Sequence, residues 1–161
     1  MYFEPLGTSH DRAAFSCGVP ALDKYLQTQA SQHLKKNLAA VYVLTPDGKT
    51  IAGFYTLSAY SVRLDKIPEE LAKKLTRMPE VPATLIGRLA RSSAFSAQGI
   101  GGILLTDTLK RSLTNSTSVA SWAVIVDAKD ANAVGFYKKY GFIAISPNRL
   151  FLPMGTIAKL F

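Results

Sequence analysis

Apolar side chains recur at helical spacing at Leu22, Tyr25, Leu26, Ala30 and Leu34, with Lys24, Gln27, Gln32 and Lys35 between them. The spacing predicts an amphipathic helix over about residues 20–36, with Pro20 in the first turn, where no backbone donor is needed. Then the period changes. Val41-Tyr42-Val43-Leu44 and Ile51 to Leu57 are β-rich runs flanking Pro46-Asp47-Gly48-Lys49, a turn with glycine where a positive φ is easiest. They predict a hairpin whose second strand continues through Ser58 to Val62. Pro68 to Leu75, with acids early and lysines late, predicts a short helix.

Further on, Pro82 precedes a third β-rich run, Ala83 to Ala90, which leads into a glycine-rich segment and then a helix from Gly101 to about Leu113, with Ile103, Leu104, Leu105 and Leu109 on its apolar side. Val119 to Val126 is nearly continuous in apolar residues and predicts a central strand. Asp127 to Asp130 opens a helix that runs to Tyr140 and stops at Gly141, where a left-handed cap is expected. Phe142–Ile145 and Leu150–Leu152 predict a last hairpin, followed by a short helix near Ile157. The expected fold class is α/β (α+β): one domain over residues 1–161, a mixed central sheet with helices packed on its faces.

Composition adds two constraints. With 161 residues, 48% of them apolar, the chain can bury a proper core. No apolar run approaches the roughly 20 residues of a membrane-spanning helix and Met1-Tyr2-Phe3-Glu4 lacks the order of a signal peptide, so a cytoplasmic protein is expected. The single Cys17 has no internal disulfide partner and reads as a small packing residue. The net charge of +8, from 19 basic and 11 acidic residues, is spread through the chain and makes a polyanion a candidate partner. His10 and His33 read as surface or packing residues, and no Cys, His and acidic cluster has metal-ligand spacing.

Ser96-Ala97-Gln98-Gly99-Ile100-Gly101-Gly102 lies between a predicted strand and a predicted helix. The first N–H groups of a helix lack internal partners and carry the positive end of its dipole, and glycines let the backbone approach a phosphate closely. No acidic residue occurs between Glu80 and Asp107, while Arg88 and Arg91 both do. A purely structural turn remains an alternative. A P-loop is excluded because no Lys-Ser or Lys-Thr follows the glycines, and the Gly-x-Gly-x-x-Gly of a dinucleotide fold is missing. Downstream, Asp130 to Phe142 places the aromatic pair Phe136-Tyr137 near the end of a helix closed by Gly141-Phe142.

Here the chain resembles the GNAT acetyltransferase superfamily. Gly99 and Gly101 match the loop (Gln/Arg)-x-x-Gly-x-(Gly/Ala), with Ser96 at the Gln/Arg position, and Tyr137, Gly141 and Phe142 match Tyr-x-x-x-Gly-Phe. Phe15-Ser16-Cys17-Gly18, Leu22 to Leu26, Gly53 to Ser58, Gly87-Arg88-Leu89-Ala90 and Thr156 to Phe161 extend the likeness, over nearly the whole chain, to the GNAT toxins of type II toxin-antitoxin modules. That family continues Gly-Arg-Leu-Ala with Val or Ile and then Asp, where Arg91 and Ser92 stand here. The resemblance implies a GNAT fold and transfer of acetyl from acetyl-CoA to the α-amine of an aminoacyl-tRNA. It also implies a ribbon-helix-helix antitoxin and a homodimer.

The resemblance also implies site roles. The candidate cofactor contacts are Leu89, Ala90 and Arg91 along the pantetheine arm, then Ser96, Ala97, Gln98, Gly99, Ile100, Gly101 and Gly102 at the pyrophosphate, with Phe136 beside them. Tyr137 is the candidate general acid for the departing thiolate, with Tyr140 as its competitor. An α-amine has a pKa of about 7.7 to 8.0 and is already partly neutral, so a site poor in acids suits it better than a lysine side chain. Lys35, Lys36, Arg77 and Arg88 are candidate tRNA phosphate contacts. A GNAT enzyme acting on a small amine or a protein N-terminus, and an inactive GNAT-like binding domain, are the competing readings.

Overall fold

The computed structural model describes residues 1–75 and 79–161. The first strand, β1 (Tyr2–Pro5), is followed by helices α1 (Pro20–Thr28) and α2 (Ala30–Lys35). The predicted single helix is thus two, broken at Gln29, whose φ of −121° is not helical. Buried Tyr25, Leu26 and Ala30 keep their spacing across the break, which is why periodicity did not reveal it. Strands β2 (Ala40–Thr45) and β3 (Gly53–Arg63) form the expected hairpin, with Gly48 at φ +79°. Asp47 organises the turn: its carboxylate accepts from the N–H groups of Lys49 and Thr50 at 2.9 and 2.7 Å. Those bonds, the one from Thr50 first, hold its pKa down at about 2.

Helix α3 is short (Glu69–Ala72), and β4 (Glu80–Arg91) extends past both ends of its predicted span. Then come α4 (Ile100–Asn115), β5 (Ala123–Asp127), α5 (Ala131–Lys139), β6 (Ile143–Ala144), β7 (Arg149–Pro153) and α6 (Met154–Ala158). The strand expected from Val119 begins only at Ala123. Val119 is exposed and its N–H still donates to the Asn115 carbonyl at the end of α4, so its apolar side chain does not mark a strand. The seven strands form one mixed sheet in the order β1-β2-β3-β4-β5-β7-β6. Strands β4 and β5 run parallel, in register from Ala83↔Ala123 to Ile86↔Val126; β5 is fully buried from Ala123 to Val126, as a central strand should be.

The chain divides into two compact units, Met1–Ser58 with Gly87–Thr108, and Ala59–Ile86 with Leu109–Phe161. In the first, successive residues of β3 serve opposite faces of the sheet. Phe54 packs edge-on to Phe15 and parallel to Tyr25 of α1. Gly53 and Tyr55 face α4 instead: a Cβ at Gly53 would lie 2.8 Å from Leu104, and the Tyr55 hydroxyl donates to Asp107. In the second unit, Val62, Ile67, Val81, Ala83, Ile125 and Phe151 form the core, with Trp122 stacked on Phe151 at 5.4 Å. Among the described residues no helix is long and apolar enough to cross a membrane.

Candidate active site

In the first unit, β4 and α4 hold the glycine-rich segment between them. Its entry is anchored: the N–H of Ser92 donates to Ala52 at 2.8 Å and that of Ser93 to Ser16 at 2.7 Å, before a 3-10 turn over Ser93–Phe95. Its exit is anchored by Ile100, buried at the first turn of α4. Between these points Ser96, Ala97, Gln98 and Gly99 are exposed. Ala97 and Gly99 both have left-handed backbones, with φ of +61° and +69°. Such alternation turns successive N–H groups toward one concave side, and among the described residues the N–H groups of Ala97, Gln98 and Gly99 have no backbone partner. The first turn of α4 carries no acid. An anion fits here by backbone donors and dipole together.

The strand before the loop has spare hydrogen-bonding capacity as well. The β4–β5 ladder ends at Ile86↔Val126, while β4 runs on through Arg91. The backbone of Leu89, Ala90 and Arg91 therefore has an edge not used by β5, suited to an extended amide-bearing ligand added as a strand would be. Of the three departures from the resembled pattern, Ser96 and Arg91 are exposed, while Ser92 is buried and its hydroxyl oxygen accepts from the Ala94 N–H at 3.3 Å.

Tyr137 belongs to the second unit. Asp130 caps α5, its carboxylate accepting from the Ala133 N–H at 2.8 Å. The other end closes on Gly141, at φ +95°, with the Gly141 N–H bonded to the Lys138 carbonyl and the Phe142 N–H to the Tyr137 carbonyl. This is a Schellman closure, and its hydrophobic contact is the Phe142 ring set edge-on to Tyr137 at 5.3 Å. Phe136 also packs edge-on to Tyr137, at 5.2 Å, and its ring lies 5.2 Å from that of Tyr140. Tyr137 is 6% exposed, and burial pushes its hydroxyl pKa well above the ordinary tyrosine value. The proton is therefore always present at physiological pH. Tyr140, the helix cap, is only half-buried. The strand end that leads into α5 is braced: Asp127 accepts from Arg149 Nε and Nη2 at 2.6 and 2.8 Å, and Arg149 Nη1 donates to Tyr60 at 2.7 Å.

Of the other candidates, Lys35 and Lys36 are exposed at the end of α2, and Arg77 lies outside the described residues. Arg88 is not buried against a carboxylate; its guanidinium lies 3.6 Å above the Tyr25 ring. Burial raises the Tyr25 pKa against the pull of Arg88. Tyr25, read from the sequence as a core residue only, had no signal for this contact beyond the acid-free stretch around its partner. Among the described residues no cluster of His, Cys and acids could hold a metal ion.

Residues 80–152 match the family model described as an acetyltransferase (GNAT) domain. The protein named probable toxin TacT of Sinorhizobium fredii is 33% identical over 168 residues, covering 98% of this chain and 93% of its own. The chain belongs to the GNAT acetyltransferase toxin family. A second member of that family, the tRNA-acetylating toxin of Mycobacterium tuberculosis, is 32% identical over 88% of this chain and 83% of its own. Among solved GNAT toxins, a tyrosine-to-phenylalanine mutant of KacT superposes with a TM-score of 0.92 at 26% identity, covering 99% of this chain and 98% of that one. AtaT complexed with acetyl-methionyl-tRNAfMet gives 0.90 at 28% identity, with the same coverage. An AtaT tyrosine-to-phenylalanine mutant bound to the C-terminus of its antitoxin AtaR and to acetyl-CoA gives 0.83 at 25%, covering 99% and 97%. Membership of the GNAT family makes the chain an acetyl-CoA-dependent N-acetyltransferase.

Proposed function

We propose that this toxin moves the acetyl group of acetyl-CoA to the α-amine of an aminoacyl-tRNA and thereby blocks translation. The observation that carries the reading is the likeness, over nearly the whole chain, to a tRNA-acetylating toxin and to AtaT solved with acetylated methionyl-tRNA. The +8 charge fits a nucleic acid and opposes a polyamine.

Acetyl-CoA supplies an activated acyl group as a thioester. The N–H groups of Ala97 to Gly99 and of the first turn of α4, through Ile100, Gly101 and Gly102, hold the pyrophosphate, with Ser96 at the loop entry. The backbone of Leu89, Ala90 and Arg91 pairs with the pantetheine amides, and Phe136 lends an apolar wall. As the α-amine nitrogen bonds to the acetyl carbon and the carbon–sulfur bond breaks, Tyr137 gives its hydroxyl proton to the departing sulfur and regains one from solvent, to which the nitrogen sheds its surplus proton. Burial makes Tyr137 a donor that never loses that proton beforehand, and its rigid seat supplies the alignment that proton transfer needs. No acid is required to activate the nucleophile, because a free α-amine is neutral in part at cellular pH. Lys35, Lys36 and Arg88 contact tRNA phosphates. The whole chain acts as a single domain in the cytoplasm, as a homodimer, and a ribbon-helix-helix antitoxin silences it.

The test is acetyl-CoA turnover by the purified protein with charged tRNA, deacylated tRNA and small amines. Product from charged tRNA alone supports the proposal; product from small amines alone removes it. Expression without an antitoxin is expected to arrest growth.

A further inference from the structure

Among the described residues Arg88 is a cation without a carboxylate: no ion pair includes it, and no acid occurs in the stretch between Glu80 and Asp107 in which it sits. Instead its guanidinium carbon lies 3.6 Å from the centroid of the Tyr25 ring, a contact distance for a flat stack. Tyr25 is itself fixed by two residues: it stacks on Phe54 at 15°, and it lies edge-on to the His33 ring at 5.2 Å with its hydroxyl hydrogen-bonded to His33 Nδ1 at 3.0 Å. A guanidinium stacked on a ring has one face covered and keeps its in-plane N–H donors clear of that ring. That is the geometry for taking two oxygens of one phosphate.

The position of Arg88 separates it from the cofactor loop. Side chains alternate along β4, and Ala90, on the same face as Arg88, belongs to the core cluster of Tyr25 and Phe54 under α1. Helix α4, whose N-terminus carries the glycine loop, packs on the opposite face against Gly53 and Tyr55. On the Arg88 side stand His33 and, two and three residues further along α2 and its end, the exposed Lys35 and Lys36.

We infer that Arg88, laid on Tyr25, is a clamp for a phosphodiester of the single-stranded end of the RNA substrate, with Tyr25 and His33 as its positioning residues. The inference rests on the aminoacyl-tRNA reading above and adds to it a phosphate site on the other face of the sheet from the CoA pyrophosphate. Single-stranded ends suit such a site because their phosphates and unstacked bases are both open to a planar cation.

The experiment measures KM for bulk charged tRNA at saturating acetyl-CoA on the full chain, together with the acetyl-CoA dissociation constant without RNA. Arg88→Gln is expected to raise the tRNA KM about tenfold and to lower the slope of log affinity against log salt by about one. The acetyl-CoA constant should move less than about twofold, since that ligand is held elsewhere. Arg88→Lys should keep the salt slope yet not the full affinity, because an ammonium neither stacks flat nor binds bidentately. Tyr25→Phe, which keeps the flat ring but loses its bond to His33, should raise the tRNA KM only part of the way, whereas Tyr25→Leu should mimic Arg88→Gln. If Tyr25→Leu does not bind acetyl-CoA it is not folded, and the Arg88 pair decides. An unchanged tRNA KM in Arg88→Gln overturns the clamp alone. Equal losses of tRNA and acetyl-CoA affinity overturn it too, by making Arg88 a cofactor residue. A wild-type protein that does not acetylate charged tRNA overturns both the clamp and the function on which it rests.

Discussion

Residues 96–99 stand in solvent, with left-handed backbones at Ala97 and Gly99 and N–H groups that no backbone carbonyl takes up, whereas Tyr137 packs against Phe136 and Phe142 at the closed end of α5. The first region binds through its main chain, so almost any side chain serves as long as the φ angles are kept. The second works through one hydroxyl, so its surroundings are built from side chains that fix a ring. Binding tolerates exposure because backbone N–H groups are strong donors even next to water. Proton donation does not tolerate it to the same degree, because misalignment by an ångström costs orders of magnitude. Substitutions in the two regions should therefore fail differently.

The largest effect is expected from Tyr137→Phe, which keeps the ring and its packing but removes the proton. Turnover should fall by about a hundred- to ten-thousandfold while the melting temperature and acetyl-CoA affinity hold; steady-state kinetics with thermal denaturation checks this, and full turnover would return Tyr137 to a packing role. Next in size is the pH response. The substrate amine is the titrating group, so kcat/KM should rise roughly a hundredfold between pH 6 and pH 9 as an amine of pKa near 8 loses its proton. Because burial raises the Tyr137 pKa, the acid stays protonated and no decline should follow up to pH 10; a falling limb centred at about pH 10 would show a donor with an ordinary pKa, and one centred lower a donor with a lowered pKa.

In the loop, Gly99→Val should weaken acetyl-CoA binding by about five- to thirtyfold, the equivalent of about 1–2 kcal/mol of left-handed strain. A Cβ there meets nothing within 4 Å, so the loss should come through the backbone with little change in melting temperature. Gly141→Ala tests the same strain at the other site, where the outcome is reversed. It should lower the melting temperature by about 2–4 °C, and reduce kcat more than acetyl-CoA affinity, since the Phe142 contact to Tyr137 depends on the closure; equal losses would break the contrast. The smallest effect belongs to neither region. The folded-state pKa of Asp47 is depressed, so its contribution is present above about pH 4 and is lost as pH falls toward 2; acid titration of Asp47→Asn, followed by circular dichroism, should lack that component.

The loop and α5 were both legible in the sequence because their signals are local: glycines between a strand and a helix, and a helical run ending at Gly141-Phe142. The hairpin around Asp47-Gly48 was legible for the same reason. What escaped was decided at long range. Strand β1 is four residues with no alternation of its own and exists by pairing with β2, from Tyr2↔Thr45 to Pro5↔Tyr42. The apolar run at Val119 suggested strand where the chain is still leaving α4. The Arg88–Tyr25 stack joins residues of β4 and α1, and no residue pattern within either segment announces the other.

Ala97 holds a conformation that glycine would adopt at no steric penalty, and an L-residue only at about 1–2 kcal/mol. Glycine there would also sample many other shapes, and the loop would have to be gathered from a broad ensemble at every encounter with a nucleotide. The methyl group moves that ordering back to the moment the chain folds. An enzyme that must find acetyl-CoA afresh for every turnover thereby meets it with a receptor whose shape was settled once, during its own synthesis.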